Sequence, residues 1–135
     1  MRVAGFFGSR AVVSIAAATL AWLAAPLAAG ASELLMFERA GCIWCARGER
    51  DIAPIYAKTD EARLLPLRRV NIDRGMPDGI TLAAPVRYTP TFVVIDGGRE
   101  IGRITGYIND ESFWGLLGSY VGKLTDPTAA HKPPS

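Results

Sequence analysis

From Glu33 onward the chain alternates between short apolar runs and polar, turn-rich stretches. "ELLMF" (33–37) is a compact apolar run and predicts a buried strand. The run ends at "ERAGC", where Gly41 breaks the strand just ahead of Cys42. A helix is expected from 42 to about 58, with Ile52, Ile55 and Tyr56 inward and Arg47, Glu49 and Arg50 in solvent. Gly48 weakens that helix, and Pro54 should kink it. "RLLPLRRVNID" (63–73) carries a second strand, best placed at 67–72. The turn-rich stretch 74–90 leaves room for one short helix about 80–83. "TFVVI" and "REIGRI" then flank Asp96-Gly97-Gly98, a strong hairpin signal. In "NDESFWGLLGSYVGKL" (109–124), Phe113, Leu116, Leu117, Tyr120, Val121 and Leu124 recur at helical spacing. Asn109 can cap that helix, and Asp110 and Glu111 suit the positive end of its dipole. Residues 125–135 are Pro-rich and aperiodic, and a disordered tail is expected.

The order strand, helix, strand, short helix, hairpin, helix implies an α/β domain: a mixed four-stranded sheet with helices on both faces. The 135 residues suffice for one such domain and no more. The first thirty residues change the picture of where it works. No charged residue lies between Arg10 and Glu33, the stretch is Ala-rich, and Arg2 and Arg10 precede it. A basic start, an apolar middle and a small-residue end describe a secretory signal peptide, with Ala29 and Ala31 placed for cleavage after residue 31. An uncleaved membrane anchor is the competing reading, since the run approaches the roughly 20 residues that span a bilayer. Either way the folded part lies outside the cytoplasm, periplasmic or secreted. The expected organisation is a signal peptide at 1–31, a domain at 32–124 and a tail at 125–135. Losing Arg2 and Arg10 leaves thirteen of fifteen basic residues against thirteen acidic ones, so the mature domain is formally neutral. With no basic stripe, nucleic acid is not an expected partner, and a monomer is expected.

The chemistry centres on "CIWC". Cys42 and Cys45 are the only cysteines. A structural disulfide across three residues closes a tiny loop, for which the chain-entropy model gives only about 2 kcal/mol. Zinc wants about four Cys or His ligands, and beyond the pair the chain offers only His131 in the tail. No metal or other cofactor is expected. A redox pair fits the placement better. Cys42 leaves a strand at a helix start, where unpaired N–H groups and the dipole favour the thiolate. Cys45 lies one turn inside. Cys42 would attack a disulfide and Cys45 would resolve the mixed disulfide. A C-x-x-C beside a strand–helix–strand pattern reads as thioredoxin-like on those grounds alone.

Four segments then resemble the thioredoxin fold over nearly all of 33–124. They are "CIWC" at a helix start, "IAPI" (52–55) within it, "VNID" (70–73) ending a strand, and "YTPTFVVIDGGREIGRITGY" (88–107). By that resemblance Pro90 is the cis-proline facing the disulfide, and Thr89 presents its backbone to an extended substrate segment. The resemblance implies a thiol–disulfide oxidoreductase and leaves its substrate open. The chain is also similar to the small secreted thioredoxins encoded with sulfur-oxidation systems, which keep a carrier protein's cysteine active. The implied partners are an exported thiol or disulfide client and a membrane thiol carrier as electron source.

Three departures from the family pattern matter. Gly41 stands where thioredoxins have Trp, and Ile43-Trp44 replace Gly-Pro between the cysteines. The helix between Cys45 and "IAPI" is four residues longer, close to one turn. The family's buried acid, six residues before the first cysteine, is replaced by Met36. Glu38, on the same face of the strand, is a candidate proton acceptor in its place, against the plainer reading of an exposed loop carboxylate. Trp44 either grips a client or simply packs over the helix start. Two other function classes stay open: a redox-inactive module binding extended peptide by strand addition, and a Cu(I) carrier using both thiolates.

Overall fold

The computed structural model describes residues 31–126. Residues 1–30 of the expected signal and 127–135 of the expected tail, with His131, lie outside those residues; Thr125, expected in the disordered tail, instead ends the last helix. Strand β1 (Glu33–Glu38) leads into helix α1 (Ile43–Tyr56), a short helix α2 (Asp60–Leu64) and strand β2 (Leu67–Asn71). A single 3-10 turn (Ile72–Arg74), strands β3 (Thr91–Asp96) and β4 (Arg99–Thr105), and helix α3 (Asp110–Thr125) follow. The sheet order is β2-β1-β3-β4, with β1 parallel to β2 and antiparallel to β3, and β3 antiparallel to β4. This is the expected mixed four-stranded sheet. Gly97 and Gly98 form the two-residue hairpin turn, both at positive φ, which glycine adopts without strain.

The alternation along β1 divides the core. Leu34 and Met36 face one side with Ile52 and Tyr56 of α1, Phe92 and Val94 of β3, and Phe113 and Leu117 of α3. Leu35 and Phe37 face the other, with Val70, Val93 and Ile95. Two strand faces buried at once explain why β1 and β3 read as continuous apolar runs rather than alternating ones. Among the described residues the α-helices pack on the first side only, so the expected helices on both faces are not found. On the second side the 3-10 turn and the following segment lay Ile72, Ile80, Leu82 and Val86 against the sheet.

The helix expected about 80–83 is not formed, because its backbone groups bond to β4 instead. The Thr81 amide donates to the Gly98 carbonyl (2.8 Å), and the Glu100 amide donates to that of Thr81 (3.0 Å). The Ala83 amide reaches the Glu100 carboxylate (2.8 Å). Conversely, α2 was not anticipated, although Thr59 caps it by accepting the Ala62 amide and Asp60 and Glu61 occupy its first turn. The inward residues also need correction. Ile55 and Leu116 are about half exposed, at 51% and 46%. On α1 the buried stripe is Cys45, Gly48, Ile52 and Tyr56, leaving Ile55 off to one side. Gly48 faces this core, where a Cβ would make ordinary contact with the Tyr107 ring at 3.4 Å and Phe92 at 3.7 Å. Asn109 caps α3 as expected, its side-chain oxygen accepting the Ser112 amide at 2.8 Å.

Candidate active site

Strand β1 emerges from the buried sheet and turns at Gly41, whose φ of 76° is in the left-handed region. The chain then starts α1 with Cys42 as its N-cap. The Sγ of Cys42 accepts the backbone N–H of Cys45 at 3.1 Å, so a sulfur takes the capping place usually held by a side-chain oxygen. Cys42 and Cys45 form a disulfide. Their exposures differ: Cys42 is partly exposed, while Cys45 is 5% exposed and packs in the core. The Thr89–Pro90 bond is cis.

An open groove of about 380 Å³ brings together Trp44, Arg47, Thr89, Pro90, Tyr107 and Ile108. The three residues singled out in the sequence (Trp44, Thr89, Pro90) therefore share one surface. Around it Ile43, Tyr88 and Ile108 expose most of their apolar area. Trp44 is half exposed and lies 5.6 Å beneath the Arg47 guanidinium. Arg47 in turn pairs with Asp51 (3.7 Å), which accepts the Tyr107 hydroxyl at 3.2 Å. Burial, and then the hydrogen bond to Asp51, push the ionisation of the Tyr107 phenol upward. Arg47, Asp51 and Tyr107 were not singled out from sequence.

A second cavity, of about 580 Å³, shares no lining residue with the groove. Cys42 and Cys45 line it together with Glu38, Glu49, Arg69 and Asn71. Glu38 is the last residue of β1, partly buried, rather than an exposed loop carboxylate. Met36 is 1% exposed and surrounded by core, so no carboxylate lies at that place beneath the cysteines. Arg69 stands opposite Met36 in the β1–β2 register and grips Glu49 through both of its terminal contacts, Nε at 2.8 Å and Nη2 closer still. The hydrogen bond to Glu49 raises the Arg69 ionisation above its ordinary value.

A CxxC disulfide at a helix N-terminus, on a mixed four-stranded sheet whose third strand follows a cis Thr89–Pro90 bond, defines a thiol–disulfide oxidoreductase of the thioredoxin fold. Comparison with known proteins agrees. A family model described as a thioredoxin-like domain matches residues 25–120, and the chain belongs to that family. Among solved structures, it is similar to the periplasmic thioredoxin SoxS from Paracoccus pantotrophus, crystallised in its reduced form. Identity is 44% and the TM-score 0.66, over 69% of this chain and 98% of that one. The thioredoxin of Malassezia sympodialis gives 18% identity and a TM-score of 0.47, over 66% and 74%. That of Fasciola hepatica gives 20% and 0.48, over 67% and 81%. No curated protein matches.

Proposed function

We propose that this chain is a periplasmic thiol–disulfide oxidoreductase that reduces or repairs disulfides and thiols of exported proteins. The observation that carries the reading is the asymmetry of the pair: Cys42 caps the helix and is reachable, whereas Cys45 is buried one turn inside. In the reduced protein the Cys42 thiolate, favoured by the helix N-terminus, attacks a client sulfur. One client thiolate leaves, and a mixed disulfide forms. Cys45, once deprotonated, attacks Cys42; the second client thiolate leaves and the pair ends oxidised. Two electrons have passed to the client. A membrane thiol carrier outside the cytoplasm then returns them.

The groove supports an extended client. Thr89 offers backbone for strand-like pairing, in a groove that it shares with Pro90 and with Trp44, which lies between the two cysteines in the chain. The Trp44 ring, backed by Arg47 and Asp51, is a firm apolar wall for that client. A location outside the cytoplasm is supported by the charge-free apolar segment before Glu33 and by the periplasmic description of the 44% identical relative.

The reading is tested by insulin reduction with dithiothreitol as electron source. Cys42→Ser should abolish turnover, and Cys45→Ser should accumulate mixed disulfides through Cys42. Alkylation of the reduced protein at about pH 6–7 that reaches Cys45 before Cys42 would contradict the assignment.

A further inference from the structure

Releasing the client requires Cys45 to lose its proton, and Cys45 is 5% exposed. A proton can leave it only toward a group or water that reaches the buried sulfur. Met36 closes the route through the core with an apolar side chain. The route that remains open is the second cavity, which both cysteines line. At about 580 Å³ and open to solvent, it has room for water, and among mostly apolar walls Glu38, Glu49, Arg69 and Asn71 supply hydrogen-bonding partners. Its charged groups come from each element around it: Glu38 from β1, Arg39 from the loop, Glu49 from α1 and Arg69 from β2. Arg39 is paired with Asp73 at 3.3 Å.

Two carboxylates therefore face the cavity, and the structure distinguishes them. Glu49 lies four residues after Cys45 on α1, one turn along the same side of the helix. It is clamped by Arg69 through two hydrogen bonds, so its position relative to the helix is set. No comparable hydrogen bond holds the Glu38 side chain among the described residues. We propose that Glu49 receives the Cys45 proton through water in this cavity, with Arg69 as the residue that positions it. The inference deepens the exchange reading above and rests on it.

The step balances without another reactant. The Cys45 thiol gives its proton through water to the Glu49 carboxylate. The Cys45 thiolate attacks Cys42 Sγ, the Cys42–client bond breaks, and the Cys42–Cys45 bond forms. The departing client thiolate takes the proton back, which is downhill from a carboxylic acid to a thiolate.

Stopped-flow reaction of the reduced protein with 5,5′-dithiobis(2-nitrobenzoate) separates the two steps. The first equivalent of thionitrobenzoate reports attack by Cys42, and the second reports resolution by Cys45. Glu49→Gln, which keeps shape and an acceptor oxygen, is expected to slow the second phase relative to the first by about tenfold or more near neutral pH. The deficit should shrink toward about pH 9, where hydroxide removes the thiol proton unaided. Arg69→Met should slow the same phase. Wild-type ratios in both variants at every pH, or the deficit appearing in Glu38→Gln instead, would overturn the inference alone. A reduced wild-type protein that releases no thionitrobenzoate would overturn the exchange reading, and the inference with it.

Discussion

Cys42 and Cys45 are three residues apart, yet one turn of helix separates a reachable sulfur from a buried one. The identity of single neighbours then decides what each can do. Met36 is the sharpest case, because its methylenes and sulfur fill core beside Phe92, where a carboxylate would have to be neutral or paired. Met36→Asp is expected to lower stability by about 2–4 kcal/mol, through lost packing and an unpartnered buried carboxyl group. It should at the same time accelerate resolution of the mixed disulfide by supplying a second acceptor. Urea unfolding and the two-phase exchange assay measure the two effects. An unchanged resolution rate would mean that proton removal does not limit this step. Cys42, Cys45, Trp44, Thr89 and Pro90 were legible in the sequence because each sits in a short contiguous motif. Glu49 and Arg69 were not. Their meeting depends on the α1 packing angle and on the β1–β2 register, neither of which is a local property.

At the scale of elements, the segment 75–86 shows how tertiary bonding overrules local room for a helix. Its amides are taken by β4, and the Glu100 side chain ties the arrangement down. Glu100 accepts from Arg103, and Arg103 also donates to the Ala84 carbonyl at 2.7 Å. The Arg103 hydrogen bonds hold the Glu100 carboxyl below its ordinary value, helped by the Ala83 amide and opposed by partial burial. A carboxyl lowered in the folded state stabilises the fold above its unfolded pKa and loses that contribution as pH falls through the folded value. The Glu100 contribution should therefore be complete at neutral pH and fade below about pH 4. Glu100→Gln is expected to cost about 2 kcal/mol at pH 7 and progressively less in acid. Thermal melts at a series of pH values check it, and an equal deficit at every pH would contradict the assignment. The hairpin and α3 were readable because Asp-Gly-Gly and Asn-Asp-Glu act within a few residues. Helix α2, with a cap and two acids in its first turn, carried a similar signal that was too short to stand out.

For the whole molecule, the two core clusters lie on opposite faces of one sheet, so loss of the sheet exposes both. The disulfide spans only three residues and contributes little to holding this together. Reduction with dithiothreitol should leave a single cooperative unfolding transition, shifted by no more than about 2 kcal/mol. Urea unfolding of oxidised and reduced protein tests this, and loss of cooperativity on reduction would show the bridge to be structural. By itself the sequence determined the α/β class, the CxxC at a helix start, the hairpin and the terminal helix, because each follows from periodicity or from turn chemistry between neighbours in the chain. Tertiary structure alone decided three other things: the loop cover over the second sheet face, the groove wall built by Arg47, Asp51 and Tyr107, and the cavity joining Glu49 and Arg69 to the cysteines. Each of those features depends on at least one pair far apart in the chain, such as Ala83 with Glu100, Glu49 with Arg69 and Asp51 with Tyr107. Such pairs meet only once strand register and helix packing have been set, and no local pattern encodes either.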